Sequence, residues 1–234
     1  MGKQSWSTES NSAFAAFSVS SVAPWLRLGL AGVLAGVALT SWLLVGDRPQ
    51  PVRALEPRDT QAALRGVDFW QGASFPVENF QEYTSPFGYR QSPTGGYSQE
   101  FHYGLDMAAP MGSYVRNWWS GKVVEVSDDS NCGTSVVVES GQWLHIYCHM
   151  QGHVESRSGG KYLIDREGGL QIWEGQQVSA GDRIGRVGMT GRTTGPHLHW
   201  GLKFSENWVD PALVLQAMYT AQEQRAALPT NQRK

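Results

Sequence analysis

Six histidines occur in this 234-residue chain, and none precedes residue 102. Four of them fall in three short patterns. His102 stands four residues before Asp106 in FHYGLDMAAP, His149 ends the stretch HIYCH, and His197 and His199 lie in GPHLHW. Imidazole nitrogen and carboxylate oxygen are suitable donors for a Zn2+ ion. Three protein ligands that leave a fourth position to water make a catalytic zinc site, whereas a structural site is closed. If Pro196–Gly201 is a strand, His197 and His199 emerge on one face, about 7 Å apart along the backbone. They can then converge on one ion, or divide metal and acid/base duty. An isolated HxH pair reads more simply as two satisfied histidines on a polar face, and His102 with Asp106 is a weaker signal alone. The three patterns therefore count only together. Gly104 argues against a regular helix between His102 and Asp106 and for an extended or turning segment.

The elements that must hold these residues read as strands and turns. Lys122–Val126, Ser135–Glu139 and Trp143–His149 look like strands, and Ser140-Gly141 fits a two-residue hairpin turn between the last two. Along the third strand Trp143, His145, Tyr147 and His149 share one face, and Leu144, Ile146 and Cys148 share the other. The apolar set is expected on the core side, with His149 pointing away from it. His145 and His153 read as surface or groove-wall histidines. That register puts Cys132 nearly opposite Cys148. A cross-strand disulfide is then possible at a Cα separation of about 4.4–6.8 Å, and two buried free thiols are the alternative. The two cysteines have no CxxC spacing, which argues against a zinc ribbon or thioredoxin-like site. A long helix is expected only at the end, about residues 210–228. There Asp210-Pro211 supplies an N-cap and first-turn pair for ALVLQAMYTAQEQRAAL.

The 27 glycines and 10 tryptophans, with only 17% charged residues, suit short strands joined by tight turns. A net charge of −2 offers no polyanion-binding surface, so no nucleic-acid partner is expected. Residues 1–27 read as a polar tail without period. Residues 28–45, LGLAGVLAGVALTSWLLV, carry no charge and as a helix reach roughly 27 Å, about one hydrocarbon core. They read as a transmembrane anchor, with a signal-peptide apolar region as the alternative. Residues 46–66 read as a linker, 67–228 as the folded domain with its core at 84–204, and 229–234 as a tail.

In order and together, these patterns resemble the lysostaphin-like zinc endopeptidases, the M23 or LytM-type domains. The likeness begins at TSPFGYRQSP, passes through FHYGLDMAAPMGSYV, SGKVVEV and YCHM, and closes with EGQQVSAGDRIGRVGMTGRTTGPHLHWGLK. It implies a mainly β domain, an antiparallel sheet with a groove over it. It implies one Zn2+ ion held by His102, Asp106 and His199, with His149 and His197 as the non-ligand catalytic pair. The function implied is hydrolysis of peptide cross-links in bacterial peptidoglycan. A non-enzymatic activator of wall amidases is the alternative, although members of that kind usually lack part of the His/Asp set. The expected location is the cell envelope, anchored by one N-terminal helix with the domain outside the membrane, or secreted after cleavage. The arginines at 48, 53, 58 and 65 follow the apolar stretch, so the positive-inside count opposes that orientation. An oxidising compartment favours the Cys132–Cys148 disulfide. Three departures from the family pattern stand out: Cys148 before the histidine, Gly201 after the HxH, and an apparent insertion at Val154–Leu170. Tyr97 lies near the place of an oxyanion-stabilising tyrosine in some members.

Overall fold

The structure is a computed structural model that describes residues 72–228 except 94 and 96, together with 53–56, 59, 60, 64 and 70. The chain divides into two units, residues 1–50 and 51–234, and every described residue belongs to the second. The tail 1–27, the apolar segment 28–45 and the tail 229–234 lie outside the described residues. Among the described residues no helix is long and apolar enough to cross a membrane.

Among the described residues the domain shows fifteen short strands and one long closing helix. The strands are β1 (Glu82–Ser85), β2 (Gly88–Gln91), β3 (Gln99–His102), β4 (Leu105–Ala108), β5 (Tyr114–Arg116), β6 (Gly121–Ser127), β7 (Ser135–Ser140) and β8 (Trp143–Cys148). They continue with β9 (His153–Arg157), β10 (Gly160–Asp165), β11 (Leu170–Trp173), β12 (Gln177–Val178), β13 (Arg183–Arg186), β14 (His197–Phe204) and β15 (Asn207–Val209). The main sheet runs β1-β4-β14-β8-β7-β6-β12, with β15 also paired to β14. All its pairings are antiparallel, so the expectation of a mainly β, antiparallel domain holds. Helix α1 (Pro211–Ala227) starts where Asp210 accepts from the Ala212 N–H at 2.9 Å and proline occupies the first turn, which needs no N–H there.

Three local expectations change. The β7–β8 hairpin pairs Ser140 with Trp143, so its two-residue turn is Gly141-Gln142, one residue later than expected. Gly141, with φ 61°, supplies the left-handed conformation that this turn needs. The core side of β8 is the opposite one from that expected. His145 and Tyr147 are fully buried, while Leu144 and Ile146 are half-buried. Trp70, Trp118 and Trp143 pack edge-on against one another, with His145 against Trp118. This large aromatic surface outweighs that of two aliphatic side chains. Cys148 therefore lies on the groove side. The Val154–Leu170 insertion is a three-stranded sheet, β11-β10-β9, whose Tyr162, Leu163 and Ile172 are buried. Arg186 fastens it by a two-pronged contact with Asp165, at 2.6 and 2.7 Å.

His145, expected at the surface, has no partner for Nε2. Burial lowers its pKa to about 3. The unfolded chain takes up this proton near pH 6.5, but the folded one does not until about pH 3. Stability from this group is therefore complete above pH 6.5 and is lost progressively as pH falls toward 3. At pH 5 the loss is about 2 kcal/mol. A His145→Leu variant is expected to show that much less destabilisation between pH 7.5 and 5.0 in urea unfolding. Equal losses in the two proteins would refute the assignment.

Candidate active site

The groove lies over the face of β14 opposite the core. Leu198, Trp200 and Leu202 point into the core, which leaves His197 and His199 on the groove face. Register then builds the site. His199 stands between Asp106 on β4 and Cys148 on β8. His102 ends β3, one short turn before β4. Gly104 in that turn is required by a close approach: a Cβ there would lie 2.5 Å from the His199 ring and 2.8 Å from the Trp200 carbonyl.

Three atoms from these strands form a nearly equilateral triangle. His102 Nε2 is 3.0 Å from Asp106 Oδ1 and 2.9 Å from His199 Nδ1, and His199 Nδ1 is 2.9 Å from Asp106 Oδ1. His102 Nδ1 faces the Pro86 carbonyl at 2.7 Å. A carbonyl can only accept, so Nδ1 carries the proton and Nε2 of the neutral ring presents its lone pair to the triangle. Lone pairs turned toward a carboxylate oxygen at 3 Å call for positive charge between them, as a proton or a cation. The triangle is thus a fitting cation seat, with His102, Asp106 and His199 as its donors.

His149 and His197 complete the cluster, their rings 4.9 Å apart. His149 Nδ1–H donates to the Thr190 carbonyl and His197 Nδ1–H to the Gly195 carbonyl, both at 2.8 Å. His149 is left with Nε2 as its acceptor, whereas Nε2 of His197 lies 3.5 Å from Asp106 Oδ1, a carboxylate oxygen that favours a proton on it. His149 sits in the left-handed region at φ 61°, which costs a non-glycine residue about 1–2 kcal/mol. Its N–H donates to the Cys132 carbonyl and its own carbonyl accepts from Gly188, so both neighbouring loops hold the conformation. Cys132 and Cys148 form the disulfide, with Cα atoms 4.9 Å apart.

Burial is the largest influence on the histidine charges. It lowers His149 to about 4 and also lowers His199. Burial opposes charge on His197 too, but the Asp106 carboxylate outweighs it and raises that pKa. Asp106 is itself disfavoured by burial, yet the imidazoles of His102, His197 and His199 grouped around it hold its carboxyl below the usual range.

Sequence reasoning assigned nothing to Arg90. Its Nη1 donates to Asp106 Oδ2 at 3.0 Å and to Ser85, and its Nη2 to Glu100 at 3.3 Å. It occupies the Asp106 oxygen that the triangle leaves over. The β2–β3 register, Gly88 with His102 and Arg90 with Glu100, carried the signal. Reading that hairpin would have put Arg90 on the face of His102. Tyr97 is fully exposed.

The groove of this antiparallel sheet thus presents two histidines and one carboxylate that could hold a metal ion, beside two further histidines. Residues 100–211 match the model of Peptidase family M23, and the chain carries a domain of that family. The DD-carboxypeptidase/endopeptidase Mpg of Neisseria meningitidis serogroup B is 29% identical over 154 residues, covering 61% of this chain and 31% of that protein. The peptidoglycan DD-endopeptidase ShyA of Vibrio cholerae is 31% identical over 159 residues, covering 67% of this chain and 33% of that protein. The chain thus spans about a third of the length of these curated relatives. A zinc-containing peptidase from Vibrio cholerae is similar in structure at a TM-score of 0.48 and 29% identity, over 63% of this chain and 39% of that one.

Proposed function

We propose that the domain is a zinc metalloendopeptidase that hydrolyses peptide cross-links of bacterial peptidoglycan. The observation that carries this reading is the triangle of His102, Asp106 and His199 donors, with sides of 2.9–3.0 Å. A tetrahedral zinc site with bonds of about 2.0–2.1 Å needs donor separations of roughly 3.3 Å, within a small adjustment of these. One ion bound there supplies Lewis acidity to a carbonyl and lowers the pKa of water. His149 keeps its Nε2 as an acceptor and can take a proton from the attacking water, while His197, whose Nε2 faces Asp106, can stabilise the developing oxyanion and return a proton to the leaving amine. Arg90 holds Asp106 in orientation. The name of the Vibrio cholerae relative, a peptidoglycan DD-endopeptidase, supports peptidoglycan as substrate. With that substrate the domain works outside the membrane, and residues 28–45 serve as its anchor.

The test uses the full chain and purified wall sacculi. With zinc, new amine ends are expected among the released fragments. Chelation is expected to remove them, and restored zinc to bring them back. Zinc bound with no new amine ends would replace the enzyme by a binding or amidase-activating role.

A further inference from the structure

We propose that Arg192 is a carboxylate receptor in the groove, selecting peptides with a free carboxylate on a residue adjoining the scissile bond. The inference rests on the peptidase reading above. Two cavities, about 330 and 220 Å³, meet at the histidine cluster, and Arg90 and Arg192 line both.

The two arginines are not equivalent. Arg90 is committed to Ser85, Glu100 and Asp106, and its side chain is 21% exposed. Arg192 is 42% exposed and makes a single ion pair, from Nη2 to Glu100 Oε2 at 2.7 Å. Its Nε and Nη1 have no partner among the described residues. The backbone beneath it is fixed, because Arg192 N–H donates to the Asn131 carbonyl. Gly191, at φ 73°, packs so closely there that a Cβ would lie 2.4 Å from that carbonyl oxygen. A guanidinium carried on a fixed backbone, tethered by one ion pair and keeping unused donors, presents a planar fork suited to a carboxylate. Charge points the same way. Arg90 is paired with both Glu100 and Asp106, whereas Arg192 has only a share of Glu100, so of the two guanidiniums Arg192 is the one whose charge is less fully matched. Glu100 stands where a substrate carboxylate would compete for Arg192. A Gly-Gly bridge has no side-chain carboxylate to offer, so the inference favours a cross-link with an acidic residue beside the cleaved amide.

The test compares two synthetic peptides that differ only in whether that carboxylate is free or amidated. With the zinc-loaded full chain, kcat/KM is expected to favour the free acid by about tenfold or more. The preference is expected to shrink in high salt. Arg192→Gln is expected to bring the ratio close to one, while Arg157→Gln, on the outer insertion, leaves it in place. Glu100→Gln, which removes the competitor, is expected to raise the preference about two- to fivefold. A ratio near one in the native protein, or a ratio that survives in folded Arg192→Gln, overturns the proposal. Calorimetric binding of both peptides to zinc-free protein separates the two readings. Selective binding without cleavage would defeat the peptidase reading and keep the carboxylate site. Cleavage of both peptides at equal rates would do the reverse.

Discussion

Asp106→Ala is expected to strip zinc from the protein and to reduce wall-peptide hydrolysis by at least about a thousandfold. Asp106 is the hub of the site. Its Oδ1 is within 3.0 Å of both His102 Nε2 and His199 Nδ1 and within 3.5 Å of His197 Nε2. Alanine removes the negative donor and leaves two neutral nitrogens, which bind a divalent cation poorly. It also leaves the Arg90 guanidinium without one of its anionic partners, adding local positive charge where the ion must sit. Metal content and thermal unfolding read the outcome. Zinc at roughly a thousandfold above its Kd stabilises a binding protein by about 4 kcal/mol. The native chain is expected to show that gain and Asp106→Ala to show almost none. A variant that keeps a full complement of zinc would remove Asp106 from the ligand set.

His149→Ala is expected to behave differently. It is expected to keep zinc and the zinc-dependent rise in unfolding temperature, and to lose activity by about a hundred- to ten-thousandfold. His149 lies outside the triangle, and its Nδ1–H is tied to Thr190. What alanine removes is the Nε2 acceptor. The backbone of residue 149 stays left-handed in either protein, held by Cys132 and Gly188, so the substitution tests the ring alone. An alanine variant with undiminished activity would assign the proton transfer to His197 or to another group. The contrast with Asp106→Ala is the informative part: one loss comes with the metal absent, the other with it present.

Much of this arrangement was legible in the amino-acid order because it rests on local rules. Alternation along β14 put His197 and His199 on one face. Asp210-Pro211 marked the start of α1, and the three strands at 121–148 appeared within a residue or two of their bounds. The position of Cys132 near Cys148 was readable, although the turn lay one residue later than expected. The patterns singled out His102, Asp106, His149, His197 and His199, and the structure brings these five side chains into one cluster.

Other features depend on contacts between distant parts of the chain. Alternation along β8 divides its side chains into two sets but does not say which set meets the core. Packing against Trp70 and Trp118 turned His145 inward and Cys148 toward the groove. The grip of Arg90 on Asp106 appears only once the β2–β3 hairpin folds beside β4. The reach of Arg192 to Glu100 joins residues 92 positions apart. The left-handed turn at His149 has only a weak cue in its residue type, since histidine visits that region more often than most residues but still uncommonly, and two neighbouring loops impose it. Local sterics and side-chain period are written residue by residue. The choice between faces, and the meeting of charges from separate strands, belongs to the burial free energy of the whole assembled domain.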